Sequence, residues 1–157
     1  MLLAIYLNDH LAGATVGRDL ARRASASNSG PIYGEFLQQL AIEIDEDREA
    51  LIRLMGALDV SVDRVKVLGG WAAEKVGRLK LNGRLRGYSP LSRLVELEGL
   101  TLGVRGKLGL WLALKELERE DQRITSVDLQ ELVGRAKRQL DSLEEHRLRA
   151  VPEALLS

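Results

Sequence analysis

The sequence of 157 residues contains no cysteine, one phenylalanine and three prolines, and aromatic residues make up only 4% of it. The lack of cysteine excludes disulfide bonds and thiolate metal sites, and it suits a cytoplasmic location, which we expect for this chain. Aromatic and β-branched residues are sparse beside leucine, alanine, arginine and glutamate, a balance that favours helices over strands. The length fits a single domain, 1–157, with a substantial core.

Net charge and long apolar runs are also lacking. The 23 basic residues balance the 23 acidic ones, so no overall charge draws the chain towards nucleic acid or anionic lipid. No stretch reaches the run of about 18 uncharged apolar residues that a membrane span needs. A secretory signal has a basic region before its apolar segment, and the N-terminus of this sequence lacks one. We therefore expect neither a membrane partner nor a nucleic-acid partner.

The common catalytic signatures are absent from the sequence. It contains no G-x-x-x-x-G-K-[ST] phosphate loop, no G-x-G-x-x-G after a strand and no H-E-x-x-H zinc motif. His10 and His146 are its only histidines, and no flanking signature marks a nucleophile with its base. We expect no catalytic residue and no bound metal or cofactor, and we lean towards a non-enzymatic protein.

The most informative stretch that is present begins at Ser89 and continues to about Asp121. Ser89 is a good helix N-cap, and Pro90 fits the first turn, where its missing N–H removes no hydrogen bond. In its middle part the only charged residues are Arg105 and Lys107, so most of the circumference is apolar. Such a helix is typical of the centre of a bundle, surrounded by other helices.

Apolar residues at three- and four-residue steps predict four further helices, over residues 2–26, 31–56, 61–82 and about 126–151. Thr125 and Asp128 resemble a capping box at the beginning of the last helix, and Pro152 is expected to end it. Short connections favour sequential antiparallel neighbours. We therefore predict an all-α, up-down-up-down four-helix bundle over residues 1–121, with the C-terminal helix and tail, 122–157, docked outside or at one end.

Nine glycines fall inside the predicted helices, where each costs about 1 kcal/mol relative to alanine. Their sum, about 9 kcal/mol, is comparable to the net stability of a whole domain, so an interaction that needs small residues has to offset it. Three explanations are open: tight packing within the monomer, a homodimer seam, or a ligand groove. The nine are Gly13, Gly17, Gly69, Gly70, Gly77, Gly99, Gly103, Gly106 and Gly109.

Five ionisable residues on or beside the apolar faces are candidate site residues, since a buried charge has to be paired, ligated or protonated. Two of them, Glu98 and Arg105, are two helical turns apart and predict an internal ion pair that fixes the register of the long helix. Trp71 and Trp111 are interpreted as core or packing-edge aromatics. The five polar-core candidates are His10, Glu43, Asp47, Glu98 and Arg105.

The loop before the long helix is basic and punctuated by glycine. Its positive side chains could hold a phosphate or another anion, although no recognised nucleic-acid motif accompanies them. This possible anion-binding loop contains Arg78, Lys80, Arg84 and Arg86.

With inward carboxylates on a bundle of this length, residues 1 to about 120 resemble the ferritin-like superfamily. The resemblance implies a di-iron or di-manganese site, for which two helices each supply a glutamate and two supply Glu-x-x-His. The corresponding residues here are Glu43-x-x-Glu46, Glu98-x-x-Thr101, Glu74, and His10 or Asp9, so no Glu-x-x-His motif is present. The chain also resembles small bacterial helical proteins with no assigned activity.

These observations favour a ferritin-like helical protein that lost, or never had, the metal site. We expect it to act through self-association, with a dimer favoured, or through a protein partner. One alternative is a di-iron or di-manganese carboxylate protein that uses Glu43, Asp47 and Glu98 with His10. The other is a protein that binds an apolar small ligand between its helices.

Overall fold

The computed structural model describes residues 2–64 and 87–156, and the regular secondary structure in these two ranges is all helical. The all-α class predicted from the sequence is therefore confirmed for this part of the chain. The predicted helix over 61–82 lies almost entirely outside the described residues, as do the basic side chains of the possible anion-binding loop. The elements are α1 (Leu2–Ser27), α2 (Gly34–Ala57), α3 (Pro90–Leu117), a 3-10 helix η1 (Gln122–Ser126) and α4 (Leu129–Leu155).

Helices α1 and α2 pack as an antiparallel pair across the short connection at residues 28–33. Arg22, late in α1, bonds to Asp45 at 2.6 Å, whereas Thr15, earlier in α1, accepts a 3.1 Å hydrogen bond from Arg48, later in α2. The predicted apolar stripe of α2, which contains one carboxylate, Asp47, faces the interior of the fold. Every member of that stripe is buried: Leu37, Leu40, Ile44, Asp47, Leu51, Leu54 and Leu58.

Helix α4 packs along α3 in the antiparallel direction. Polar contacts join the two helices from one end to the other: Lys115 to Gln130, Lys107 to Gln139, Glu98 to Arg147, and Arg93 to Glu153. The sequence left open whether the C-terminal helix docks outside the bundle or at one end. These contacts show that it packs along the length of α3. Helix α1 packs against α3 from another side, so α3 has α1 and α4 as its main partners among the described helices.

The predicted beginning of α3 is confirmed. The Ser89 hydroxyl accepts a hydrogen bond from the Ser92 N–H at 3.2 Å, and the Ser92 hydroxyl accepts one from the Ser89 N–H at 3.3 Å. This reciprocal capping box satisfies two N–H groups that a helix start leaves without partners.

The boundaries of α4 differ from the prediction. Its N-cap is Asp128, which accepts a 2.9 Å hydrogen bond from the Glu131 N–H, while Thr125 lies in η1. Pro152 does not end the helix, which continues to Leu155. A proline so close to the C-terminal end removes a single backbone hydrogen bond, and the remaining turn still closes through the Leu156 N–H and the Pro152 carbonyl at 3.1 Å.

Helix α3 is not buried on all sides, in contrast to the prediction that it is central. Its core face includes Trp111 and Leu114, but Leu102 is 75% exposed and Arg105 is also exposed. The many leucines of α3 suggested that it is buried on all sides, but one side of the helix is exposed. No helix in residues 2–64 and 87–156 combines the length and hydropathy that a bilayer crossing requires.

Most of the helical glycines of α1 and α3 are not explained by close packing among the described residues. A Cβ at Gly99 would lie 3.1 Å from Cδ2 of Leu20, which is a tight contact. At Gly13, Gly17, Gly103, Gly106 and Gly109, a Cβ would meet no described atom within 4 Å. Tight packing within this part of the monomer therefore accounts for Gly99 alone.

Candidate functional site

A groove with a volume of about 290 Å³ lies between α1, α2 and α3. Its walls are mainly apolar or glycine: Gly13, Ala14 and Gly17 from α1, Ile44 and Leu51 from α2, and Leu100, Leu102, Gly103, Val104, Gly106 and Leu110 from α3. The four glycines in the groove have no side chain, so they leave the space between the helices unfilled. The volume is at the lower end of the range of small-molecule pockets, about 300 Å³ and upward.

A buried ion pair lies at this groove. Lys107 of α3 donates a hydrogen bond to Oδ2 of Asp47 in α2, and both residues line the groove. The Lys107 ammonium also donates to Oε1 of Gln139 in α4 at 2.5 Å, and the Gln139 amide donates to Glu43 at 2.9 Å. One lysine and one glutamine thus join three helices.

The charges of this cluster are compensated within it. Arg135 of α4 lies 3.4 Å from Oδ1 of Asp47 and 2.7 Å from Glu46. Burial lowers the pKa of Lys107 below its ordinary value, while the carboxylate of Asp47 opposes that shift. For Glu43, burial raises the pKa, but hydrogen bonds from Gln139 and another glutamine, together with nearby positive charges, outweigh it and lower the pKa overall.

Two buried polar atoms of groove residues have no hydrogen-bond partner in the part of the chain that the structure describes: Oδ1 of Asp47 and Nε1 of Trp111. The first has the positive charge of Arg135 beside it at 3.4 Å. Trp111 is only 1% exposed, and no acceptor among the described residues pairs with its indole N–H. A buried donor without an acceptor costs about 1–3 kcal/mol, so this N–H calls for an explanation.

The predicted polar-core candidates separate into two groups. His10 lines the groove, and its ring meets Tyr6 edge-on at 4.6 Å. Burial lowers the pKa of His10, and the nearby carboxylate of Asp9 opposes the shift. Asp47 lies at the same groove, and Glu43 belongs to the hydrogen-bond network behind it.

Glu98 and Arg105 do not lie in the core, and the predicted internal pair between them is not formed. Both are exposed, and Glu98 lies 3.9 Å from Arg147 of α4 instead. The apolar density of α3 had suggested that any charge on it is buried. The side of the helix that carries Arg105 is open, so this charge stays in water.

The sequence interpretation missed the three polar residues that organise the site: Lys107, Trp111 as a donor, and Gln139. A signal for Lys107 was present, because it is one of two charges in the apolar part of α3 and lies one helical turn before Trp111. Gln139 gave no such signal, since a glutamine on an amphipathic helix is ordinary. Only the pairing of α3 with α4 brings it to Lys107.

No cluster of three or more histidine, aspartate or glutamate side chains that could hold a metal ion is present within residues 2–64 and 87–156. Of the alternative di-metal set, Asp47 is engaged by Lys107, Glu43 by Gln139, and Glu98 is at the surface near Arg147. The described positions of these side chains therefore do not support that alternative.

A second polar network ties the other end of the described fold together. The Asn28 amide donates to the Tyr88 hydroxyl at 2.6 Å, and this hydroxyl donates to Glu96 at 2.9 Å. Arg93 donates to Asn28 at 2.6 Å and to Glu153 at 2.7 Å. Burial is the main cause that raises the pKa of Tyr88 to about 12. This network joins the C-terminal ends of α1 and α4 to the beginning of α3, and we interpret it as structural.

Comparisons of the chain with protein families, with curated proteins and with solved structures find no match. The resemblance to the ferritin-like superfamily therefore stays a prediction from the sequence. Among the described residues, the groove with its buried polar cluster is the feature that indicates a function most directly.

Proposed function

We propose that the protein binds a small, mainly apolar ligand in the groove between α1, α2 and α3. The observation that supports this most strongly is the glycine-walled cavity of about 290 Å³ beside the unpartnered indole N–H of Trp111. Small-molecule sites are typically concave and mainly apolar, with a few polar groups that orient the ligand. The groove has this composition.

The glycines supply the energetic argument. Each glycine inside a helix costs about 1 kcal/mol relative to alanine, and no described neighbour requires Gly13, Gly17, Gly103 or Gly106. In a ligand-binding protein, glycines at these positions make room for a ligand, and binding buries the apolar surface of that ligand. That burial contributes about 25 cal/mol for each Å², and it offsets the cost of the glycines only when the ligand is bound.

The test uses 1-octanol as an apolar probe and a matched pair of variants. Gly106→Leu places a side chain in the groove wall, whereas Gly109→Leu places the same side chain on the exposed surface of α3 outside the groove. Both replacements remove one glycine from the same helix, so their effects on helix propensity match.

We expect isothermal titration calorimetry to show octanol binding to the wild-type protein and to Gly109→Leu. For Gly106→Leu we expect at least a tenfold weaker affinity, because the leucine occupies the ligand's place. Equal loss in both variants would reject the proposal, and so would a wild-type protein that binds neither octanol nor an eight-carbon carboxylate or amine.

Two finer predictions from the sequence remain proposals. The first is the ferritin-like, up-down-up-down order of the bundle, which depends on the predicted helix over 61–82. The second is self-association, for which the exposed Leu102 of α3 is the apolar side chain of greatest interest. Sedimentation equilibrium over a hundredfold range of protein concentration tests it, and a constant monomer mass would count against a dimer.

A further inference from the structure

We infer that the ligand of the groove is a monocarboxylate with an apolar tail, and that Lys107 and Trp111 hold its carboxylate. This inference rests on the proposed function and names the chemical class of the ligand. Both side chains line the groove, and they lie four residues apart on α3. Positions at this spacing are neighbours on one face of a helix.

Both residues offer a hydrogen-bond donor that the described protein leaves unused. The Trp111 indole can only donate, and its N–H has no acceptor among residues 2–64 and 87–156. The Lys107 ammonium has three N–H groups, of which Asp47 and Gln139 take two. The two donor-bearing residues are one helical turn apart on α3, and a carboxylate held by both would accept one hydrogen bond from each through its two oxygens.

The acceptors at the groove are less free than the donors. Oδ2 of Asp47 accepts from Lys107, and Oδ1 lies 3.4 Å from the guanidinium of Arg135. A cationic ligand head would therefore compete with two protein cations for the same carboxylate. An anionic head next to Lys107 would instead supply a second negative partner to an ammonium that burial destabilises.

The remaining wall sets the nature and the length of the tail. It is formed mainly by aliphatic side chains and glycine, and its other ionisable residues are Asp9, His10 and Arg48. Arg48 is engaged by Thr15 at 3.1 Å and by Glu49 at 2.7 Å. A volume of about 290 Å³ holds about ten non-hydrogen atoms, since a water-sized group takes about 30 Å³ of liquid. Octanoate has that size.

The experiment compares three eight-carbon probes that differ only in the head group: octanoate, 1-octanol and octylammonium. Calorimetric titrations of the wild-type protein at pH 7.5 should give octanoate an affinity at least tenfold higher than that of octanol, and octylammonium the weakest. Trp111→Phe keeps an aromatic ring and removes the N–H, so it should lower the affinity for octanoate about tenfold while the affinity for octanol stays within twofold.

The intact protein provides a second readout that does not depend on a variant. The assigned indole ¹⁵N–¹H resonance of Trp111 should shift on addition of octanoate and stay nearly constant with octanol, because only the carboxylate accepts strongly from the N–H. This measurement decides the point even where Trp111→Phe lowers the stability of the fold.

The outcomes separate the two proposals. Equal affinities for octanoate and octanol, a Trp111 resonance that octanoate leaves unchanged, or strongest binding of octylammonium would overturn the carboxylate assignment and leave the apolar groove standing. No binding of any of the three probes would overturn both proposals.

Discussion

Asp47 of α2 and Lys107 of α3 form an ion pair whose side chains are only 1% and 14% exposed. Two helices that are far apart in the chain are thus joined by charges removed from water. A buried pair is costly when one partner is missing, because the other charge keeps its desolvation penalty without its attraction. The pair therefore links the stability of the described fold to the geometry of the groove.

Replacing Asp47 by alanine should lower the free energy of unfolding by about 3–5 kcal/mol, since Lys107 is then buried without its carboxylate. Urea unfolding followed by circular dichroism measures the change. The double variant Asp47→Leu with Lys107→Met is the control. It replaces both charges by apolar groups and should recover most of the loss; a double variant as unstable as Asp47→Ala would contradict the argument.

Gln139→Met should cost about 1–3 kcal/mol, because it removes the hydrogen bonds to Lys107 and Glu43 in a partly buried place. The matched control is Gln130→Met on the same helix, where the glutamine accepts from the exposed Lys115. That change should cost less than about 0.5 kcal/mol. Equal losses in the free energy of unfolding for the two variants would contradict the prediction, because the buried network around Lys107 would then add no more stability than an exposed hydrogen bond.

His10 should make the fold less stable as the solution becomes acidic. Burial lowers its pKa below the ordinary value of 6.5, so the unfolded chain takes up the proton first, and the free energy of unfolding falls as pH decreases from about 6.5 through the folded-state pKa. Unfolding measured between pH 8 and 5.5 should show this slope in the wild-type protein and a shallower one in His10→Asn. Since His146 is present in both proteins, their difference reports His10; identical slopes would contradict the prediction.

Tyr88→Phe should destabilise the fold by about 1–3 kcal/mol, because it leaves Asn28 and the largely buried Glu96 without the hydroxyl between them. Tyr6→Phe is the control, since Tyr6 has nearly the same exposed fraction but lies on the other end of α1. We expect that control to change the free energy of unfolding by less than about 0.5 kcal/mol. Thermal and urea unfolding of both variants provide the comparison.

Much of the helical structure could be predicted because it depends on local sequence. The periodic stripe of α2, the capping serine of α3 and the apolar face of α4 all depend on residues within a few turns. Asp47 was found in the same way, as a carboxylate in an apolar stripe. Its partner was not, because Lys107 is 60 residues away and only the tertiary arrangement of the helices brings the two side chains together.

The error at Glu98 and Arg105 has a related cause. Their spacing shows correctly that they lie on one side of α3, but spacing cannot tell which side of a leucine-rich helix faces water. Helix α4 provides Arg147 for Glu98, and the open side of α3 leaves Arg105 exposed. The groove was considered only as one explanation of the glycines and as an alternative function, without its lining residues, since an empty space has no residue pattern of its own.

The network around Arg93 also has a consequence for the newly synthesised chain. Tyr33 donates to Glu153 at 3.0 Å across 120 residues of sequence, and Arg93 bonds to the same carboxylate. Until residue 153 has left the ribosome, this end of the fold cannot close, although α1 and α2 can already pair. Contacts so distant in sequence form late and slowly. The face of α3 that α4 covers in the complete fold therefore stays exposed to water until α4 has been synthesised.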